Sequence, residues 1–218
     1  ELLEKNQLNQ NFNSNEQYET LSKFNIPALQ YYEVNSFAEA CRCANKIGFP
    51  VVLKTTNPNI SHKTEKNAVL VNIKNRKELE AGLEKFNNKA KIGKMIKGIE
   101  LFLGAKKDKN IGFVLTFGAG GIYSEIYQDF SYRILPLNKS IALKMINETK
   151  ISKILHGARG QKSLDLDKLS DILVSVSKFL ESFSNISELD FNPIIANNRG
   201  YYIVDTRIVI EKEKNEKI

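Results

Sequence analysis

Apolar residues in this chain never run together for anything near the roughly 18 positions that a membrane-spanning helix needs. The N-terminus has neither the basic segment nor the apolar stretch of a signal peptide. The expectation is a soluble cytoplasmic protein with no membrane partner. Cysteine is scarce too. Cys41 and Cys43 are the only two, and in the helical pattern around them a C-x-C pair projects about 200° apart around the axis. That spacing suits neither a disulfide nor a metal pair, in keeping with a reducing compartment. No basic stripe alternates with aromatics: the 32 basic residues are dispersed among 25 acidic ones, so the net charge of +7 does not point to a nucleic-acid partner. Positive charge serves an anionic small ligand equally well. No G-x-G-x-x-G fingerprint follows a strand, so no Rossmann-type unit is expected. Internal repeats are absent.

What remains is a chain of 218 residues with 42% apolar content, enough for a packed core in one large or two small domains. Residues 1–15 are rich in Asn and Gln and read as a linker or tail, and residues 211–218 read as a frayed end. From Asn15 the pattern is helical to Phe24, followed by a short strand at 28–33. Ser36 with Glu39 forms a capping box for a helix that runs to Ile47 and closes at Gly48. Val51 to Lys54 reads as a buried strand, 57–66 as a polar loop, 68–73 as a strand and 76–88 as a helix opened by Asn75 and Glu78. Residues 98–135 alternate β-rich runs with Gly-containing turns, as an antiparallel sheet does. Helices are expected at 139–147 and at 166–182, the second capped by Asp165. The resulting division is an N-terminal α+β lobe over 16–97 and a C-terminal α+β lobe over 98–211, with a ligand cleft between them.

Near the C-terminus, Glu188-Leu189-Asp190-Phe191-Asn192-Pro193 and Tyr201-Tyr202-Ile203-Val204-Asp205 flank an Asn197-Asn198-Arg199-Gly200 turn, a hairpin signal. Centring the turn between Asn198 and Arg199 sets Asn192 opposite Asp205. Alternation then puts Asp190 on the same face, so two carboxylates and an amide oxygen converge within about 4.5–8 Å. Hard oxygens in that number suit Mg²⁺, which commonly takes one or two carboxylates plus substrate phosphates. The same spacing also fits the wet side of a solvent-facing strand.

Other residues have chemistry of their own. Phe117-Gly118-Ala119-Gly120-Gly121-Ile122 offers backbone amides to an anion, or simply a tight turn; it lacks the Gly-Lys-Ser/Thr of a P-loop. Glu125 follows and has the chemistry to complete a metal or water network. His62, beside Lys63 in the polar loop, has the chemistry of a phosphoryl acceptor with a neighbouring cation, and equally that of an ordinary loop histidine. Lys54 ends an apolar strand, where a buried ammonium calls for an anionic partner unless its stem reaches solvent. Arg133 is a second cation beyond the Gly-rich turn. His156, at a helix end, reads as a cation near a helix C-terminus.

Taken in order, several stretches resemble the ATP-grasp domain of acyl-CoA synthetases that form ATP from ADP, the β portion of acetate–CoA ligase (ADP-forming). They are Gly48 to Lys54, Ser61-His62-Lys63-Thr64-Glu65, Gly98-Ile99-Glu100 with Gly104, Phe117 to Glu125, Asp129 to Leu137, and Glu188 to Pro193 with Asp205. The resemblance covers about residues 16–211. It implies an ATP-grasp fold of two α+β lobes gripping a nucleotide, with Mg²⁺ as cofactor, ATP or ADP as substrate, and CoA-binding and ligase domains or a subunit as partners. It also implies Asn192 and Asp205 as metal ligands supported by Asp190 or Glu125, Lys54 reaching the nucleotide, Gly120 and Gly121 beside the site, and transient phosphorylation at His62. The expected nucleotide-binding set adds Glu100 and Gly118, and the expected catalytic set adds Lys63 and Arg133 to His62. This chain departs from the pattern twice. An acidic residue and a Gly-Gly pair normally follow the His loop, where this chain has Glu65-Lys66-Asn67-Ala68. A hinge strand that normally ends in Gln-Glu-Met reads Gly93-Lys94-Met95. A regulatory ATP-grasp-like module within a larger acyltransferase, and a carboxylate–amine ligase of the same fold, are the alternative readings.

Overall fold

The computed structural model describes residue 8 and residues 14–56, 68–121, 128–158, 160 and 162–211. By their contacts they form two compact units, Glu1–Ala28 with Lys97–Ile218, and Leu29–Ile96. Helix α1 (Ser14–Lys23) therefore belongs with the C-terminal residues and not with the N-terminal lobe to which the sequence assigned residues 16–28. Leu21 and Ile26 bury themselves in the larger unit's core, and Ile203 N–H donates to Pro27 O at 2.9 Å. This pairing also shortens the strand expected at 28–33: Ala28 makes only a bridge to Ile203, and the strand itself, β1, is Tyr32–Val34. Leu8 is likewise more than part of a loose tail. It is buried in the same core, and the Asn185 side chain accepts from its N–H (3.0 Å) and donates to its carbonyl (2.8 Å).

In the smaller unit, α2 (Phe37–Ile47), β2 (Val51–Thr55), β3 (Val69–Ile73), α3 (Arg76–Glu84) and β4 (Ala90–Lys94) follow β1. The strands form an antiparallel sheet in the order β1-β4-β2-β3. Both helices start at side-chain caps. Ser36 Oγ accepts from Glu39 N–H (3.3 Å) and Asn75 Oδ1 from Glu78 N–H (2.9 Å), satisfying amides that the first turn leaves unpaired. Helix α3 is shorter than the expected 76–88. Asn87 and Asn88 adopt left-handed φ of 52° and 60°, and the bonds Asn87 N–H to Glu84 O and Asn88 N–H to Leu83 O close the helix in a Schellman pattern. Ala40, Ala44, Leu79 and Leu83 pack on Val51, Leu53, Ala90 and Ile92, so one sheet face is covered by helices.

The larger unit continues with β5 (Ile99–Asp108), β6 (Gly112–Ala119), β7 (Phe130–Ile134), α4 (Lys139–Asn147), α5 (Ser152–Leu155), α6 (Leu166–Ser182), β8 (Ile186–Asn197), β9 (Gly200–Ile203) and β10 (Arg207–Ile210). Its antiparallel sheet runs β10-β8-β5-β6-β7, with β9 also on β8. Helix α6 begins at Asp165, whose Oδ1 accepts from Lys168 N–H at 2.9 Å. It presents Leu169, Ile172, Leu173, Val176, Phe179 and Leu180 at three- and four-residue spacing to the core. There they meet Leu101, Leu103, Leu115, Phe117, Leu189 and Phe191, every second residue of their strands. The alternate residues, among them Phe102, Gly104, Thr116, Asp190 and Asn192, occupy the sheet's other face. No helix among the described residues is long and apolar enough to cross a membrane.

Candidate nucleotide and metal site

Strand β8 carries the candidate site because its two partners along one edge, β9 and β10, hold a single register over most of their pairing. Ile194 faces Ile203 and Asn197 faces Gly200 on β9, Val204 N–H donates to Pro193 O (3.2 Å), and Arg207 on β10 faces Asp190. Carried through residues 204–206, that register sets Asp205 opposite Asn192. On its other edge β8 slips by one residue against β5, between the pairs Leu101–Ile194 and Leu103–Phe191. The bulge falls at Asn192-Pro193, where a proline costs no ladder bond, and bulges of this kind re-aim side chains.

Asn192 Oδ1 accepts from Gly121 N–H at 3.2 Å. That donor fixes the amide's orientation and leaves the carbonyl oxygen a second lone pair. Gly121 itself sits at φ +80°, and a Cβ there would lie 1.8 Å from Glu100 Oε2. Glycine thus lets the chain pass between the Glu100 carboxylate and the Asn192 amide. Gly118 and Gly120 lie nearby for a different reason. A Cβ on Gly118 would meet Asp129 O at 1.9 Å, one on Gly120 the Leu101 backbone at 2.4 Å, and Gly120 N–H donates to Glu100 O at 2.9 Å. These two glycines serve close backbone packing.

Asp190 is the electrostatic centre of the group. Its Oδ1 is buried and has no hydrogen-bond partner among the described residues. Burial pushes its carboxyl above the usual carboxylate range; Arg207 opposes the shift, and the charges of Asp205 and Glu188 add to it. Arg207 was not picked out from the sequence, although the hairpin register places it directly opposite Asp190; its guanidinium lies 3.5 Å from Glu188 Oε1. A buried carboxylate oxygen without a partner, a second carboxylate acting on it and an amide oxygen with a spare lone pair fit a hard divalent cation. Among the described residues no group of three or more His, Cys, Asp or Glu is placed to hold a metal ion.

The other expected residues are placed as follows. Lys54 is in the smaller unit, 7% exposed, with Nζ 4.3 Å from the centroid of the Tyr31 ring. Arg133 is not brought to the Asp190 face. It pairs in register with buried Leu115, its Nη2 lies 2.5 Å from Glu148 Oε1, and its Nη1 donates to Tyr132 O. His62, Lys63 and Glu125 lie outside the described residues. Asp129 is a buried clamp whose carboxylate accepts from Lys150 N–H (2.6 Å) and Ile151 N–H (2.7 Å).

Residues 4–210 match the ATP-grasp domain family. The chain belongs to that family. It is 33% identical over 209 residues to the β subunit of acetate–CoA ligase [ADP-forming] II from Pyrococcus furiosus, covering 88% of this chain and 89% of that one. To the acetate–CoA ligase [ADP-forming] I of Archaeoglobus fulgidus it is 35% identical over 205 residues, covering 88% of this chain and 30% of that protein. The chain thus spans nearly all of a separate β subunit but under a third of a longer ligase chain. Its fold superposes with a TM-score of 0.82 on a Ca. Korarchaeum cryptofilum acetyl-coenzyme A synthetase solved with coenzyme A and Mg-AMPPCP, at 31% identity and with 91% and 92% of the two chains covered. The relatives are ADP-forming acid–CoA ligases, and this ATP-grasp chain matches the ATP-grasp portion of them.

Proposed function

We propose that the chain is the nucleotide-binding, phosphoryl-transferring ATP-grasp part of an ADP-forming acyl-CoA synthetase, acting with CoA-binding and ligase domains. The observation that carries this reading is the buried Oδ1 of Asp190, which has no hydrogen-bond partner among the described residues and lies on the sheet face away from the helices, where the Asp205 charge acts on it. Asp190, Asn192 and Asp205 hold Mg²⁺, Gly121 and Glu100 border the same site, and Lys54 supplies a cation for the phosphates of ATP or ADP. Bound Mg²⁺ neutralises phosphate charge and orients the transferred group. Asn192 is held in its orientation by Gly121 N–H, so one donor oxygen is set before the ligand arrives. In the ATP-forming direction a His62 ring nitrogen takes the phosphoryl group as the donor's bond to phosphorus breaks, the terminal phosphate oxygen of ADP then takes it as the N–P bond breaks, and Lys63 offsets the negative charge. Arg133 is engaged with Glu148 and forms no part of this proposal.

The test is a thermal melt of the chain with Mg–ADP, with and without a chelator. A ligand at 100 times its Kd adds about 2.7 kcal/mol, which raises Tm by about 5–11 °C in a chain of this size. Asp205→Asn should lose the metal-dependent part of that shift. A melt unchanged by Mg–ADP at any concentration would refute the proposal. Nucleotide binding without His62-dependent ATP formation, when acyl phosphate, ADP and the partner domains are supplied, would favour a regulatory module.

A further inference from the structure

Strand order in the smaller unit brings together three residues that no motif links: Tyr31, Gly93 and Lys54. The β1–β4 register pairs Tyr32 with Ile92 and Glu33 with Lys91, and one step further it sets Tyr31 opposite Gly93. Tyr32 packs against the helix-covered core, so alternation turns Tyr31 to the opposite face. Gly93 in turn pairs with Val52 of β2, two residues from Lys54 on that same face. Because Gly93 has no side chain, the Tyr31 ring lies across the middle strand. A Cβ on Gly93 would fall 2.4 Å and 2.5 Å from the ring's Cε1 and Cδ1. The ring then reaches Lys54, whose Nζ stands 4.3 Å from its centroid.

Charge makes the contact consequential. Lys54 and Lys91 are direct cross-strand neighbours on this face, an arrangement of like charges that destabilises a sheet. Lys91 Nζ has Glu33 Oε1 at 3.7 Å, and Lys54 has the negative face of the Tyr31 ring. An aromatic ring holds an ammonium in place without neutralising it.

We propose that Tyr31, seated on Gly93, is a positioning residue that holds the Lys54 ammonium for the phosphates of a nucleotide. The proposal rests on the reading of Lys54 as a nucleotide contact.

The experiment combines Mg–ADP titration by calorimetry with NMR of the lysine ε-methylenes, which an overlying ring shifts upfield. Tyr31→Leu should weaken Mg–ADP binding about three- to tenfold and abolish the Lys54 ring-current shift. Tyr31→Phe, which keeps the ring, should keep the shift and bind within about twofold of wild type. Gly93→Ala leaves both side chains chemically intact but displaces the ring, so it should reproduce Tyr31→Leu and serves where the leucine variant fails to fold. In a Lys54→Met background, Tyr31→Leu should cost nothing further. Wild-type affinity in Tyr31→Leu and Gly93→Ala alongside weakened binding in Lys54→Met would overturn the proposal while sparing the role of Lys54. Wild-type affinity in Lys54→Met would remove that role and the proposal with it, and an unshifted Lys54 methylene in the wild type would refute the contact itself.

Discussion

Replacing Asp190 by Asn should move the stability of the protein in opposite directions with and without ligand. In the ligand-free chain Asp190 carries a buried oxygen that has no hydrogen-bond partner among the described residues, and its ionised form feels the charges of Asp205 and Glu188. An unsatisfied buried polar group costs about 1–3 kcal/mol. The amide retains part of that cost but not the charge. The attraction lost is to Arg207, whose side chain is 67% exposed, and contacts of that sort contribute only about 0.2–1 kcal/mol. The net expectation at neutral pH is a gain of about 1 kcal/mol, or about 2–4 °C in Tm. The sign of the pH dependence follows from the raised pKa. Proton binding by folded Asp190 contributes stability that is fully present below the unfolded value of 3.8 and is lost as pH rises through the folded value. The advantage of the Asn variant should therefore shrink towards zero between neutral pH and about pH 4. With Mg–ADP the order reverses. A tenfold loss of affinity at 100 times the wild-type Kd leaves about 1.4 of the 2.7 kcal/mol, so the shift falls from about 5–11 °C to about 3–6 °C. Scanning fluorimetry across pH, with and without ligand, measures all of these quantities. A variant less stable than wild type at neutral pH, or one with an undiminished Mg–ADP shift, would show that Asp190 is not a cation ligand waiting in an unfavourable state.

Gly121→Ala forces a left-handed φ on an L residue, at about 1–2 kcal/mol, and drives its Cβ into the Glu100 carboxylate; the variant should fold with Tm lowered by about 2–8 °C and lose most of its Mg–ADP shift, which melts with and without ligand will separate. Asp129→Asn presents an amide N–H where two backbone N–H groups now point, so it should cost about 1.5–3 kcal/mol and lower Tm by about 3–12 °C with the ligand shift intact. A melt equal to wild type would show that the clamp contributes nothing.

The local chemistry of this chain was legible without its fold. Ser36, Asn75 and Asp165 accept at the helix starts where their spacing to Glu39, Glu78 and Lys168 puts a free amide within reach. The terminal hairpin's register follows from its turn and from the alternation of Leu189 and Phe191 with Asp190 and Asn192, because a one-residue slip would turn the apolar set out of the core. Those signals are local, fixed by residues a few positions apart. Tertiary structure decided the rest. Helix α1 joins the larger unit because Leu21 and Ile26 find their apolar partners there, beyond the reach of any local pattern. Arg133 turns away from Asp190 because the pairing of β7 with β6 assigns its face and Glu148 waits there, 15 residues on. The bulge that aims Asn192 and the ring that Tyr31 lays over Gly93 towards Lys54 both depend on which strands are neighbours. Strand order is set by burial of the whole sheet, so sequence determines the faces of each strand and only the packed core determines what each face meets.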